Sequence, residues 1–246
     1  KPENGWSAEI GIKQALSFGE WIGFIDVAGF IMRYDDMMEF SFGQWAKALF
    51  DENDQTTNFF GMGFKSVNVG KTQIYGAELT ITGQGKINDN LTINLLSGYT
   101  YMVPTSLEPN LVYDTTQLGD DITYASSSSN PSVLKYRYKN IAKVDVEVIY
   151  KDFSFGGSLR YNDFMQNIDS IFTTFTVNAI LIPGINEARE KFKNGDYVLD
   201  ARLGWQMNDV FRFGFVVNNV LNREYMTRPA TMMSPRTFAV QCNIKI

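Results

Sequence analysis

The densest group of potential ligand residues in this 246-residue chain is acidic. Carboxylate oxygens are the groups that bind a hard cation such as calcium. Six acidic residues lie within residues 35–54, namely Asp35, Asp36, Glu39, Asp51, Glu52 and Asp54. Their spacing matches no known calcium-binding loop, so this segment is predicted to be a solvated acidic surface.

Three methionines, Met226, Met232 and Met233, offer sulfur ligands of the kind that bind copper. Since no histidine accompanies them, they are interpreted as a soft apolar contact surface.

The composition excludes most catalytic and metal-binding arrangements. The chain has no histidine and a single cysteine, Cys242. Ser-His-Asp or Cys-His catalysis, His-ligated zinc or haem and an internal disulfide therefore cannot be built within it. The net charge of −5, with no basic tract, argues against a nucleic-acid partner. We predict no catalytic residue, no metal site and no cofactor, and a chain that is not an enzyme.

The remaining charged residues follow a period of two, which is the pattern of a β-strand. In the segment 143–150, Lys143, Asp145 and Glu147 alternate with valines. The same alternation runs through 7–13, 91–101, 153–162, 197–206, 211–218 and 237–246. One stripe of each segment is apolar and tends to end in an aromatic residue, while the other mixes charges, amides and glycine.

Alternation alone fits either a soluble antiparallel sandwich or a transmembrane barrel. The apolar stretches of about 9–11 residues are long enough to cross a bilayer at the tilt of a barrel strand. Short connections at 16–20, 85–90, 151–152 and 207–209 alternate with long ones at 35–58, 103–135, 164–195 and 219–235. Outer-membrane barrels have short periplasmic turns and long extracellular loops. The predicted fold class is therefore all-β, an antiparallel transmembrane barrel segment whose apolar stripe faces lipid.

The loop lengths predict about nine strands. Strands near 4–15, 62–83, 136–150, 196–207 and 235–246 would run inward, and those near 20–34, 90–103, 153–163 and 210–219 outward. Bacterial single-chain barrels normally have an even number of strands, and open edges in lipid are not viable. The opening KPENGWSAEIG also lacks a secretory leader. We therefore expect residues 1–246 to be the C-terminal portion of a larger barrel.

The polar stripe would then line the barrel lumen. Ten charged residues are predicted to face it: Glu9, Asp26, Glu78, Lys143, Asp145, Glu147, Arg160, Asp200, Arg202 and Arg212. Cross-strand ion pairs and hydrogen bonds are expected among them. For Glu78, pairing with a neighbouring strand or a plug is favoured over a substrate relay.

The long loops are where the choice of substrate is expected to reside. Residues 43–50 (GQWAKALF) and 186–194 (NEAREKFKN) are predicted to be short amphipathic helices. The second would have Asn186 as its N-cap and Gly195 as its stop. Either helix is interpreted as a lid over the entrance or as an element that packs the loops together. The run from Ser126 to Ser129, followed by Asn130-Pro131, predicts a mobile loop tip.

Three segments together resemble the TonB-dependent outer-membrane receptors. The opening KPENGWSAEIG is similar to their "LKPE…E.G" strand, and VNVGKTQIYGAEL resembles an "N-x-G…G-x-E" strand through Asn68, Gly70, Gly76 and Glu78. The ending is similar to their terminal "N-L-x-N-x-x-Y…P-R" hairpin; the matching residues are Asn219, Leu221, Asn222, Tyr225, Pro235 and Arg236. The family usually terminates in phenylalanine, whereas this chain ends in Ile246. The Asn- and Tyr-rich style resembles receptors of Bacteroidota.

The resemblance implies a bacterial outer-membrane barrel of about 22 strands around an N-terminal plug. Its implied partners are the remainder of the same receptor, with the plug and N-terminal strands; the TonB complex, acting through the plug; outer-membrane lipid; and optionally a surface lipoprotein. The implied function is active uptake of a scarce nutrient, with siderophore, cobalamin, glycan and peptide all open. The alternatives are an outer-membrane adhesin or assembly scaffold and, less favoured without histidine, an outer-membrane hydrolase.

Overall fold

The computed structural model describes residues 1–44, 62–115, 119–174, 183–228 and 231–245. Within these ranges its strands are β1 (Asn4–Phe18), β2 (Trp21–Asp35), β3 (Met38–Gln44), β4 (Met62–Asn68), β5 (Thr72–Asn88), β6 (Leu91–Ser106), β7 (Val112–Thr115), β8 (Asp121–Thr123), β9 (Asn140–Tyr150), β10 (Phe153–Asn162), β11 (Asp196–Gln206), β12 (Phe211–Asn218) and β13 (Thr237–Ile244). The helices are α1 (Tyr124–Ser127) and α2 (Ile185–Lys191), with a short 3₁₀ helix at Ser170–Thr173.

Nine of these strands form one antiparallel sheet in the order β1-β2-β5-β6-β9-β10-β11-β12-β13. The predicted number of wall strands and the all-β fold class are thus confirmed. The prediction of a single strand over 62–83 is wrong. Gly70, whose φ of +84° is in the left-handed region, lies in a break between β4 and β5. β4 instead pairs with β3 in a separate hairpin, while β5 alone joins the wall.

The sheet has a short-turn edge and a long-loop edge. Hairpins of two residues connect β1 to β2 and β9 to β10, and their turns place Gly19 and Lys151 at φ of +60° and +53°. Left-handed residues are what tight hairpins require, because their twist matches that of the flanking strands. The rings of Phe153, Trp205 and Phe213 stack at this edge with centroids about 6 Å apart. Aromatic residues therefore gather at these strand ends, as the sequence predicts.

The opposite faces of the sheet differ in chemistry because side chains alternate along each strand. One face is apolar and has no protein cover within the described residues. On the inner strands, Phe155, Leu203 and Phe215 share this face and are 52%, 41% and 40% exposed, although each lies on a strand that is paired on both sides. An exposed apolar face of this extent is typical of a surface that contacts lipid.

The long loops build two small hydrophobic cores of their own beyond the sheet. The first contains Met37, Val67, Val69, Tyr124 and Leu134. The second contains Met165, Ile168, Phe172 and Ile185. None of the helices in the described residues has the length and hydrophobicity that a helical membrane span requires.

The predicted loop elements are only partly correct. Helix α2 begins at Ile185, and its N-cap is Gly184 in a left-handed conformation rather than Asn186. It ends at Lys191 with Phe192 as its C-cap, so that Gly195, which takes a φ of +85° as a stop residue would, lies four residues beyond the helix. Of the helix predicted at 43–50, Gly43 and Gln44 are in β3, and the rest lies outside the described residues.

The prediction of a mobile tip at Ser126–Ser129 is wrong. Thr123 and Ser126 form a reciprocal capping box that starts α1. The Ser129 hydroxyl donates to Asn167 Oδ1 at 3.2 Å, and the backbone N–H of Asn130 donates to the same oxygen at 2.9 Å. The Ser129 hydroxyl thus bonds a neighbouring loop and the Ser126 hydroxyl bonds Thr123 of its own turn, while the buried Ser128 hydroxyl has no hydrogen-bond partner among the described residues.

Candidate functional site

The register places all ten predicted lumen residues on one face of the nine-stranded sheet, opposite the apolar face. The structure brings five of them together on β9, β10 and β11. Arg202 of β11 binds Asp145 of β9 through two hydrogen bonds of 2.8 and 2.7 Å, and lies 3.9 Å from Glu147. Arg160 of β10 pairs with Asp200 of β11 at 3.0 Å.

Glycine makes the longest of these contacts feasible. Arg202 and Asp145 belong to strands that are not neighbours, and Gly156 of the intervening β10 is the residue paired with Arg202 on one side and with Glu147 on the other. A Cβ atom on Gly156 would overlap the Arg202 guanidinium. A planar guanidinium that reaches across a whole strand can therefore make its two-pronged contact only because the middle residue has no side chain.

The other predicted lumen residues remain apart. Glu78 accepts a hydrogen bond from the Thr100 hydroxyl of the adjacent strand at 3.3 Å, which agrees with the pairing interpretation. Among the described residues, Glu9, Asp26, Lys143 and Arg212 form no ion pair within 4.0 Å, although they share the same face. Whether this face borders a lumen stays a prediction.

Several residues of the sequence motifs hold loops in place. Asn219 has a φ of +52°, and its side chain, only 2% exposed, accepts from the Arg223 backbone N–H at 2.9 Å and donates to the Arg223 carbonyl at 2.8 Å. Asn222 has a φ of +49° and accepts from the Arg236 backbone N–H at 2.9 Å. Asparagine tolerates the left-handed region and bonds nearby backbone, which explains both positions.

A buried ion pair lies at the centre of the loop elements. Lys135 Nζ donates to Asp169 Oδ1 at 2.6 Å, and both side chains are 1% exposed. The ammonium also donates to the hydroxyls of Ser41 at 3.2 Å and Ser127 at 2.9 Å. Three donors of the ammonium are thus satisfied without water, as a charge buried this deeply requires. We call Lys135, Asp169, Ser41, Ser127 and Tyr136 the loop hub.

The hub joins three long loops. Ser41 comes from β3 in the first, Lys135 and Ser127 from the second, and Asp169 from the third. Tyr136 donates to the second carboxylate oxygen of Asp169 at 2.5 Å. Burial and the neighbouring Asp169 charge raise the pKa of Tyr136, so its hydroxyl stays protonated and available as a donor.

A second buried carboxylate, Glu39 of β3, lies beside the hub. Its side chain is 8% exposed, and its Oε1 has no hydrogen-bond partner among the described residues. Burial raises the pKa of Glu39 to about 7, although Arg137 and Lys135 nearby favour the charged form. The expectation that Glu39 belongs to a solvated acidic surface is therefore wrong. Asp51, Glu52 and Asp54 lie outside the described residues.

Glu39 lines a cavity of about 600 Å³, which we call the loop cavity. Its wall contains the aromatic residues Phe40, Phe64, Tyr136 and Phe172 and the cations Lys135, Arg137 and Arg228, together with Met38 and Thr231. A smaller cavity of about 250 Å³ lies between α2 and the polar face at β9–β11. Within the described residues no group of three or more His, Cys, Asp or Glu side chains is arranged to hold a metal ion.

Helix α2 is fixed by specific contacts. Arg189 donates to the carbonyl of Met165 at 2.9 Å, and its guanidinium lies 4.6 Å from the centre of the Phe164 ring. Ile185 is buried in the second loop core. These contacts support the interpretation that α2 packs the loops together, while a lid role stays a prediction.

Sequence reasoning missed Lys135, Asp169 and Glu39 as buried charges. For Lys135 a signal was present, because it interrupts the apolar run Val133-Leu134-Lys135-Tyr136. Asp169 and Glu39 carry no such signal, since each is buried by segments distant in the sequence.

Comparison with protein families decides the assignment. Residues 1–220 match the model of the TonB dependent receptor-like β-barrel. The chain belongs to this family. It is accordingly part of a bacterial outer-membrane protein. The family consists of receptors rather than enzymes, which confirms that the chain is not an enzyme. The likeness to Bacteroidota receptors stays a prediction.

Solved structures of TonB-dependent receptors share the fold. The ferric-catecholate import receptor Fiu of Escherichia coli K12 is 22% identical, with a TM-score of 0.59 over 99% of this chain and 28% of its own. FpvA of Pseudomonas aeruginosa, bound to heterologous pyoverdines, is 16% identical, with a TM-score of 0.56 over 99% of this chain and 27% of its own. The copper transporter OprC is 13% identical, with a TM-score of 0.57 over 99% of this chain and 31% of its own. No curated protein sequence matches the chain.

The chain therefore spans only about a quarter to a third of the length of the receptors it matches, from 27% to 31% in these three. At these identities the likeness shows the fold of the TonB-dependent receptor wall.

Proposed function

We propose that this chain forms part of the wall and the extracellular loops of a receptor that actively imports a scarce nutrient across the outer membrane. Membership of the TonB-dependent receptor family over residues 1–220 carries this proposal. The nutrient is a siderophore, cobalamin, glycan or peptide. Residues 1–246 are the C-terminal portion of the barrel, and a plug and N-terminal strands complete it.

The partners follow from this assignment. The TonB complex acts through the plug, lipid surrounds the apolar face, and a surface lipoprotein is an optional further partner. The polar face borders the lumen, so that its ten charged residues contact water and the plug. The ion pairs of Arg202 and Arg160 on that face support this orientation, because they neutralise charges that lipid would not tolerate.

The long-loop edge is the natural place for capture. The loop hub fixes three loops around a cavity, and ligand pockets are typically preformed clefts with a few convergent polar groups. Binding outside would then precede release of the plug by TonB.

Transport can be tested even though the nutrient is unidentified. The spent media of the wild-type strain, of a strain without the full-length receptor and of a strain without TonB are compared by mass spectrometry. We expect one compound to remain in the medium of both deletion strains and to disappear when the receptor gene is restored. A receptor deletion that changes attachment to surfaces, but leaves the depletion of every compound unchanged, would instead support the adhesin or scaffold alternative.

A further inference from the structure

The smaller cavity, of about 250 Å³, lies between α2 and the polar face of the sheet, and we call it the helix cavity. Its floor contains Lys143 of β9, Arg160 of β10 and Val198 of β11, and its opposite wall contains Ala188 and Phe192. An apolar cavity of about 150 Å³ holds one benzene ring, so this cavity has room for an apolar group of roughly ten non-hydrogen atoms.

Apolar side chains supply much of the wall above this floor. Phe164, Met165 and Ile185 of the third long loop line it, together with Met226 and Met233 of the last loop. Methionine side chains are unbranched and adapt to irregular shapes, and apolar walls are typical of sites that bind small molecules. The wall therefore favours an apolar part of a ligand.

Contacts between the loops hold this wall in place without a ligand. Lys191 of α2 pairs with Glu224 of the last loop at 3.2 Å. The Tyr138 hydroxyl, at the other side of the cavity, donates to the carbonyl of Thr227 at 3.0 Å. The helix cavity is thus preformed, and a ligand does not have to order the loops in order to bind.

Two cations lie directly opposite each other in the floor. Lys143 and Arg160 are partners in the register of β9 and β10 and share the polar face. Like charges directly opposite in an antiparallel pair destabilise a sheet. Arg160 pairs with Asp200 at 3.0 Å, whereas Lys143 forms no ion pair within 4.0 Å among the described residues. Asp145, the next residue on this face of β9, is already bound by Arg202 through two hydrogen bonds.

The carboxylates in the wall of the helix cavity have partners of their own. Asp163 accepts from the Asn140 side chain at 2.6 Å, and Asp196 is paired with Arg223 at 2.7 Å. The charge left without a counterion in the floor is therefore the ammonium of Lys143. An ammonium beside a guanidinium that has further N–H donors suits one carboxylate, which can accept charge-assisted hydrogen bonds from both.

We propose that the helix cavity binds a monocarboxylate with an apolar group, either a free organic acid or the C-terminal residue of a peptide. The carboxylate lies between Lys143 and Arg160, and the apolar group lies between Phe192 and the methionines of the last loop. An amine would add a third cation to the floor, and a neutral amide would leave the repulsion between the two cations in place. This inference rests on the proposed function, for which it names a chemical feature of the nutrient.

The test uses the purified full-length receptor in detergent, without TonB, and isothermal titration calorimetry with empty micelles as the blank. The probes are phenylpropanoate, its amide, phenylpropylamine, propanoate, and the dipeptide glycyl-phenylalanine with its C-terminal amide. We expect each acid with a phenyl group to bind about tenfold or more tightly than its amide, because the amide lacks the charge-assisted contacts. Propanoate should bind more weakly than phenylpropanoate, since it lacks the apolar group. The ratio between phenylpropanoate and the dipeptide separates the two sources of the carboxylate.

Variants assign each end of the ligand. Lys143→Gln should abolish the preference for acid over amide, whereas Lys143→Arg should retain it. Ala188→Trp, which fills the cavity from α2, should weaken the binding of every probe. Lys13→Gln is the matched control and should leave every ratio unchanged, because Lys13 is on the same face but on β1, where it lies 3.7 Å from the centre of the Phe24 ring. Heat-modified electrophoretic mobility verifies that each variant is folded.

The outcomes separate this proposal from the proposed function. Equal affinity of the wild type for acids and amides, or undetectable binding of every probe, would overturn the carboxylate assignment, even if the deletion strains show a transport defect. A preference for acids that persists in folded Lys143→Gln, or propanoate binding as tight as that of phenylpropanoate, would overturn it as well. Acid binding that follows the variants, combined with unchanged depletion of all compounds in the deletion strains, would preserve the site and overturn transport.

Discussion

The substitution Asp169→Asn should open the loop hub while the wall stays intact. Lys135 is 1% exposed and would lose its carboxylate, which lies 2.6 Å from the ammonium. Removing one partner of a buried ion pair costs about 3–5 kcal/mol, because the other charge remains buried without compensation. At about 1.4 kcal/mol for each factor of ten, the open state of the hub should become roughly a hundredfold to a few thousandfold more populated.

Hydrogen exchange of the full-length receptor, followed by mass spectrometry, measures this opening. The reporters are the backbone N–H groups of Ser129, Leu134 and Tyr136, which donate to carbonyls of Ile168, Pro104 and Asn167 at 3.0, 3.1 and 2.9 Å. Their exchange should accelerate by the factor given above, whereas amides within β9 and β10 should keep their rates. The wall strands thus provide an internal control.

A double variant tests the cause. Lys135→Met/Asp169→Leu removes both charges, and replacing a whole buried ion pair with apolar residues is often neutral or stabilising. We therefore expect it to exchange much more slowly than Asp169→Asn. The reasoning from the buried ion pair would be refuted if the hub amides of Asp169→Asn exchanged at a rate within threefold of the wild type. It would also be refuted if those of the double variant exchanged as fast as those of the single variant.

Three further predictions concern the wall, the acidic residue and the last loop. Gly156→Val should destabilise the receptor by about 1–3 kcal/mol through overpacking. Gly157→Val should not, because its added Cβ would meet only a carbonyl at 4.0 Å. The unfolding temperatures of the two variants in detergent are compared, and equal values would contradict the role of Gly156. Because the pKa of Glu39 rises from 4.5 to about 7 on folding, the folded loops hold this proton more tightly than the unfolded loops do. Their stability should be greatest below about pH 4.5 and should fall by about 3 kcal/mol as the pH rises through 7. Glu39→Gln should remove this slope, measured by hydrogen exchange corrected for intrinsic rates, and an unchanged slope would assign it to another group. Asn219→Ala should cost about 1–3 kcal/mol, since two hydrogen bonds to the Arg223 backbone are lost. Protease cleavage within 219–236 should rise, and a cleavage rate equal to that of the wild type would contradict this.

The wall was predictable because its information is local. Alternating residues such as Val144 and Asp145 fix which side chains share a face, and a strand slipped by one residue would exchange the faces. That is why the ten predicted residues lie together on one face. The error at 62–83 has a local cause as well: alternation continues on both sides of Gly70, and only its left-handed φ separates the two strands.

The loops were less predictable because their structure depends on distant segments. Ser127 and Ser129 look flexible by composition, yet the Ser127 hydroxyl accepts from the Lys135 ammonium and the Ser129 hydroxyl donates to Asn167 of the next loop. The burial of Glu39 likewise depends on Arg137 and its neighbours nearly a hundred residues away. Helix α2 was found because its amphipathic pattern is local, but its cap was misplaced by two residues since Gly184 begins it without a side-chain bond.

The loop hub has a consequence for the order of folding. Its bond from Lys135 to Ser41 joins residues 94 apart in sequence, and its bond from Ser41 to Asp169 joins residues 128 apart. Closing such long loops from a disordered chain is entropically expensive, whereas each wall hairpin closes through its own short turn. We therefore expect the strands between Ser41 and Asp169 to pair first and the hub to close last. A strand paired in the wrong register would move Asp169 away from Lys135 and leave an ammonium that cannot be buried. We therefore expect the loops to become compact only after the strands beneath them have found their correct partners.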